Sequence, residues 1–160
     1  GPLCNPALAP HQVIGVWSKE LIEPTANALA RLGTEYSWVV HGENGLDEIA
    51  LVGTTHVAEI RKSKVSMFPI AAGDFEPGEA SGKLPLNCST QESSALIAKI
   101  FDNKCVGNAA EKLVLINAAA AIFVAGRANG LPEAYKIAEA SIRSGNAREK
   151  LNKLRLETTK

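Results

Sequence analysis

Two short, nearly continuous apolar runs separated by one amphipathic segment constrain this chain more than any other feature. Gln12-Val13-Ile14-Gly15-Val16-Trp17 and Tyr36-Ser37-Trp38-Val39-Val40-His41 are rich in β-branched and aromatic side chains. That is the pattern of strands covered on both faces, inside a sheet. Between them Leu21, Ile22, Ala26, Leu29 and Leu32 recur at helical spacing. Ser18 is expected to cap the start of this helix and Gly33 to supply a left-handed stop. Strand, helix, strand with short connections is the crossover unit of a parallel sheet. The expected fold class is therefore α/β, part of a mainly parallel sheet flanked by helices.

The rest of the chain divides at its breakers. Gly42-Glu43-Asn44-Gly45-Leu46 reads as a turn, and extended segments follow over 48–61 and 65–70, broken near Gly53 and at Lys62-Ser63. They suit a hairpin beside the parallel strands. Residues 71–90 are rich in Gly, Pro, Ser and Asn without a sustained period, which predicts a long surface loop. Helical periodicity then predicts helices over 91–101, 108–127, 132–144, with Pro132 in a first helical position, and 147–156. A helical C-terminal tail after a sheet is the result. The run Asn117-Ala118-Ala119-Ala120-Ala121 has side chains small enough for close packing against a neighbour.

Composition limits the function classes. A chain of 160 residues that is 46% hydrophobic and 21% charged can bury one sizeable core, so one globular unit is expected. Lys plus Arg and Asp plus Glu number 17 each, which leaves no positive field to attract nucleic acid or an anionic membrane. Cys4, Cys88 and Cys105 are an odd set with long spacings, unsuited to a disulfide framework or a zinc knuckle. Free thiols in a reducing cytoplasm fit better. The apolar stretch 112–127 is too short to span a bilayer comfortably. The chain opens inside a proline-rich loop, without an initiator methionine, and is expected to be a piece of a longer protein.

Chemistry concentrates in His41-Gly42-Glu43-Asn44-Gly45-Leu46-Asp47-Glu48, where two glycines frame a turn and two adjacent carboxylates follow a strand end. Ligands collect at strand ends in α/β sheets. Magnesium takes oxygen ligands, keeps several waters and is usually held by one or two carboxylates together with substrate phosphates. Asp47 and Glu48 meet that requirement, serving two ions, or one ion directly and another through water, since neighbouring side chains of extended backbone point apart. A solvated acidic turn is the plain alternative. His11, His41 and His56 are too widely spaced for a local metal motif. Walker-type, dinucleotide-type and zinc-type motifs are all missing from the sequence.

The order of segments adds a resemblance. Gly1-Pro2-Leu3-Cys4-Asn5-Pro6-Ala7, Gln12-Val13-Ile14-Gly15-Val16, Val39-Val40-His41-Gly42 and Gly45-Leu46-Asp47-Glu48 resemble anthranilate phosphoribosyltransferases in sequence and spacing. The likeness continues through Gly53-Thr54-Thr55-His56-Val57-Ala58-Glu59, Asp74-Phe75, Leu115-Ile116-Asn117-Ala118-Ala119-Ala120-Ala121 and Ser144-Gly145-Asn146-Ala147. Such enzymes join a small helical domain to a larger α/β domain. They displace pyrophosphate from phosphoribosyl pyrophosphate by the amine of anthranilate, with Mg2+ assisting, in tryptophan biosynthesis.

The resemblance implies that Asp47 and Glu48 are the metal-binding carboxylates. It also implies that Gly1 and Pro2 form one wall of the anthranilate slot, where a simple buried turn is the alternative. It implies a cytoplasmic enzyme that is a homodimer when complete. The family's glycine-rich phosphate loop, its lysine-histidine-glycine-asparagine block and its N-terminal helical domain have no counterpart in 1–160. The chain is accordingly expected to be the C-terminal part of the α/β domain and inactive by itself. Two other readings remain open on sequence: a pyrimidine nucleoside phosphorylase-like enzyme, and a non-catalytic binding protein on the same fold.

Overall fold

The computed structural model describes residues 2–4, 6–85 and 87–158. Four strands, β1 (His11–Gly15), β2 (Tyr36–Gly42), β3 (Thr54–Arg61) and β4 (Lys64–Ala71), form one sheet in that order. The helices are α1 (Ile22–Arg31), α2 (Thr90–Phe101), α3 (Ala109–Val124), α4 (Leu131–Arg143) and α5 (Asn146–Thr158). The expected crossover unit is present: β1 and β2 run parallel, joined through α1, with Gly15 beside Val40. Gly33, at φ 82°, follows α1 in the left-handed conformation expected of it.

The class is α/β, but the sheet is mixed rather than mainly parallel within this chain. The β2–β3 and β3–β4 pairings are antiparallel. The connections account for this. No helix lies between β2 and β3 to carry the chain back to the same end of the sheet. Lys62 and Ser63 adopt positive φ of 49° and 62° between the paired residues Arg61 and Lys64, a two-residue turn whose twist suits an antiparallel hairpin.

Two further expectations need correction. β1 is an edge strand of the described sheet, with His11 and Gly15 exposed, whereas β2 is buried from Ser37 to Gly42. Trp17 lies beyond β1 and is 76% exposed. Ser18 does not cap α1. A 3-10 turn, Lys19–Leu21, intervenes, and the Ser18 hydroxyl donates to the Glu20 carboxylate. Pro24 supplies the reason: in a helix beginning at Lys19 its ring would meet the carbonyl of Glu20, whereas in one beginning at Ile22 it occupies the first turn.

Alternation along the strands makes two cores. Val39, Ala58 and Ile60 pack with Ile22, Ala26 and Leu29 of α1 on one face. Trp38, Val40 and Val57 turn to the other, against Leu115, Ile116, Ala119 and Ala120 of α3. The alanine run lets α3 come close to the sheet, and Ala119 and Ala120 are fully buried. The 71–90 segment is not all surface: the 3-10 turn Ala72–Phe75 drives Phe75 completely into the second core.

A buried ion pair fastens the helices. Glu111, 1% exposed, accepts from the Gly107 amide at 2.7 Å and from Arg143 Nη1 at 2.7 Å. Arg143 also donates to Asn103 at 2.9 Å and to Glu139 at 3.2 Å. The network joins the start of α3, the end of α4 and the connection between α2 and α3. Replacing Arg143 by Met strands the Glu111 charge and should cost about 3 kcal/mol in urea unfolding, whereas adding Glu111→Met should recover much of that loss. A double variant no more stable than Arg143→Met would contradict this reading of the pair.

Candidate active site at the ends of the parallel strands

β1 and β2 end side by side, and residues 43–53 fold back across those ends. The turn closes through Gly45 N–H to Gly42 O at 2.9 Å and Gly42 N–H to Leu46 O at 2.8 Å. Glu43 pins the return. Its amide donates to Thr54 O at 2.9 Å and its carboxylate accepts from Thr54 N–H at 2.9 Å, which holds that carboxyl below the usual range. Asp47 and Glu48 then stand exposed, while Ile49 and Ala50 directly after them are fully buried.

Glycine makes this crossing possible. A Cβ on Gly15 would lie 1.5 Å from the carbonyl oxygen of Asp47, so the loop backbone rests directly on the end of β1. At Gly42 a Cβ would sit 3.1 Å from Glu48 O and 3.0 Å from the Ala50 side chain. The two carboxylate-bearing residues are therefore laid over two glycines at neighbouring strand ends.

Polar ties complete the seat. Asn117 of α3 accepts from Ile49 N–H at 2.9 Å and donates to Ile49 O at 3.1 Å. Buried Thr55 accepts from Ala50 N–H at 2.9 Å through its hydroxyl. His41, also buried, bonds through Nδ1 to Val16 O at 2.8 Å and ties β2 to the chain leaving β1. His41 thus has a structural contact, and His11 and His56 lie on β1 and β3, where His56 pairs across the sheet with His41.

Asp47 and Glu48 border a cavity of about 710 Å³, together with Gly15, Val40, Asn117 and the α3 residues Ala110 and Leu113. Among the described residues neither carboxylate is in a salt bridge, and no trio of His, Cys, Asp and Glu is grouped to hold a metal. Although exposed overall, Glu48 lines this concave wall, and its carboxyl is partly withdrawn from water. That withdrawal from water, then the neighbouring Asp47 charge, raises it above the usual carboxylate range. Two adjacent carboxylates without a cation suit an oxygen-liganded divalent ion whose other positions are filled by water or phosphate.

Asp47 and Glu48 line the same cavity. Gly1 lies outside the described residues, as does the side chain of Pro2, whose backbone opens the 3-10 turn Pro2–Cys4. Sequence reasoning passed over Gly15, Thr55 and Asn117. A glycine ending a β-branched run was the one available signal for the first, and a single amide ahead of four alanines for the last.

Residues 1–148 match the family model described as glycosyl transferase family, a/b domain, and the chain belongs to that family. Its relatives include the anthranilate phosphoribosyltransferase of Azospirillum brasilense, 40% identical over 154 residues, covering 96% of this chain and 43% of the relative. The enzyme of that name from Methanosarcina mazei is 40% identical over 163 residues, covering 99% and 42% respectively. Among solved structures, anthranilate phosphoribosyltransferase from Thermus thermophilus superposes with a TM-score of 0.78 at 34% identity, over 96% of this chain and 44% of that one. The Saccharomyces cerevisiae enzyme in complex with phosphoribosyl pyrophosphate and Mg gives 0.78 at 28% identity, over 95% and 44%. The chain thus spans less than half the length of the relatives it matches. No helix among the described residues is long and apolar enough to cross a membrane.

Two predictions follow from the seat of the loop. Gly15→Ala should push the Asp47 backbone off the end of β1, lowering stability to urea by about 3 kcal/mol, the upper end for overpacking; an unchanged midpoint would contradict the contact. For Glu48, a raised folded-state pKa means that the native state holds the proton more tightly than the unfolded chain. Its contribution to stability is then present at low pH and lost as pH rises through the folded pKa. Glu48→Gln should raise the thermal midpoint at about pH 7 and leave it unchanged below about pH 4, where both states are protonated.

Proposed function

We propose that this chain is the C-terminal part of the α/β domain of an anthranilate phosphoribosyltransferase. In this reading it supplies the metal-carboxylate side of the site, while the phosphate loop and helical domain belong to the rest of the enzyme. The observation that carries the reading is the presentation of Asp47 and Glu48, without a cationic side chain paired to them among the described residues, over the ends of two parallel strands in a member of this glycosyl transferase family. The similarity to enzymes bearing that name along 96% of the chain supports it.

The substrates are anthranilate and phosphoribosyl pyrophosphate, and Mg2+ is the cofactor. The solved yeast relatives support this, one in complex with phosphoribosyl pyrophosphate and Mg and another with 4-fluoroanthranilate. Asp47 and Glu48 are the residues that would hold the ion. When bound, Mg2+ neutralises charge on the pyrophosphate and its departing oxygen. The bond from the ribose anomeric carbon to that oxygen breaks with its electron pair leaving on pyrophosphate, a bond to the anthranilate nitrogen forms, and the amine proton passes to water or to the departing pyrophosphate. No covalent protein nucleophile is required, so the residues of this chain act by position. The buried anchor at Ile49 and Ala50 keeps the carboxylates at the strand ends while the cavity beside them restricts water. Gly1 and Pro2 shape one wall of the anthranilate slot. The complete enzyme is a cytoplasmic homodimer.

The test follows the loss of anthranilate fluorescence with phosphoribosyl pyrophosphate and Mg2+, in this chain alone and in the protein completed by its N-terminal half. Activity is expected only in the completed protein. There, Asp47→Ala with Glu48→Ala should lower turnover about 100-fold or more, the size of one lost electrostatic stabiliser, with a much smaller change in anthranilate affinity. Unchanged turnover at limiting Mg2+ would remove the two carboxylates from the mechanism.

A further inference from the structure

We propose that Asn117 is a positioning residue for the Asp47–Glu48 pair, its side-chain amide holding the peptide that follows Glu48 as a neighbouring strand would. The proposal rests on the metal-binding role given above to the two carboxylates.

After Gly42 the chain leaves the ladder of β2, and Ile49 has no strand beside it. Asn117 takes that place. Its Oδ1 accepts from Ile49 N–H at 2.9 Å and its Nδ2 donates to Ile49 O at 3.1 Å, the paired exchange that a backbone residue makes across an antiparallel ladder. The second Nδ2 hydrogen goes to Leu113 O at 3.0 Å, one turn earlier in α3, which fixes the orientation of the amide.

The consequence falls on Glu48. The peptide before it is seated by the Asp47 carbonyl over Gly15. The peptide after it is held on one edge by Asn117 through Ile49 N–H, while its own carbonyl lies over Gly42. Glu48 is thus clamped between two fixed peptide planes, and only side-chain rotation is left to it. Asn117 also sits on the helix that walls the cavity shared with both carboxylates. One amide therefore sets the position of the carboxylates relative to that wall.

Asparagine is specific in this role. Aspartate has the same shape but would set a carboxylate against two carbonyl oxygens, those of Ile49 and Leu113. Alanine would leave both polar groups of Ile49, a fully buried residue, without a partner. Either loss frees the loop without touching a carboxylate.

The test uses the full-length protein and reads Mn2+ binding in the presence of phosphoribosyl pyrophosphate by electron paramagnetic resonance, alongside the Mg2+ concentration needed for half-maximal rate. Asn117→Ala and the isosteric Asn117→Asp should each weaken Mn2+ binding about 10-fold to 100-fold, the usual range for a residue supporting a ligand from behind. The Mg2+ requirement should rise in step, and turnover should recover at saturating Mg2+. Asn108→Ala removes the N-cap of the same helix, more than two turns before Asn117, where Asn108 accepts from Glu111 N–H at 2.8 Å and makes none of the Ile49 hydrogen bonds. It should lower thermal stability without changing Mn2+ affinity. Wild-type Mn2+ binding in both Asn117 variants, or equal weakening in Asn108→Ala, would overturn the positioning role and leave the carboxylates in place. Wild-type binding in Asp47→Ala with Glu48→Ala would instead show that the metal reading itself is wrong.

Discussion

The carbonyl oxygen of Asp47 lies 1.5 Å from where a side chain on residue 15 would begin, so the site depends on β1 ending in a residue with no side chain. Close backbone contact is otherwise prevented at a strand end, because each Cβ holds the covering chain at van der Waals distance. With glycine at 15 and at 42, the loop can lie flat across both parallel strands and then dive into the core at Ile49 and Ala50. The burial of those two residues, with the ties to Asn117 and Thr55, makes the crossing stable.

Polar satisfaction elsewhere sets off the exposed carboxylates. Among the described residues no buried side-chain nitrogen or oxygen lacks a hydrogen-bond partner. Glu111 is matched by Arg143 and the Gly107 amide, and Glu59 accepts from both Tyr36 and Trp38. Against that background Asp47 and Glu48 are adjacent like charges with no counter-ion among the described residues, and withdrawal from water, then the Asp47 charge, raises the Glu48 pKa. A fold that satisfies its buried polar groups but leaves these two carboxylates opposed beside a cavity is retaining a local cost, the pattern of a binding site.

Much of this was legible in the sequence, and what was not has identifiable causes. The strand-helix-strand unit was readable because its apolar runs and helical period are local. So were the hairpin break at Lys62-Ser63 and the helices of the C-terminal half. The antiparallel pairing of β2 with β3 was not, since strand direction depends on where a connection returns, which composition does not encode. The edge position of β1 depends on neighbours, not on its own β-branched run. Ser18 looked like a cap until Pro24, six residues on, is considered as a steric limit on where α1 can begin. In the site, the acidic pair was visible, but Gly15 and Asn117 acquire meaning only through contacts with residues 32 or more positions away.

The proposed role of the loop over Gly15 and Gly42 is to present Asp47 and Glu48 as the divalent-cation ligands of this chain. Paramagnetic broadening of amide resonances by trace Mn2+ reads that directly. The amides of Gly15, Asp47, Glu48 and Ile49 should broaden first, ahead of those beside the exposed acidic residues of α5. Broadening that begins at α5 or elsewhere on the surface, with the loop amides unaffected, would contradict it.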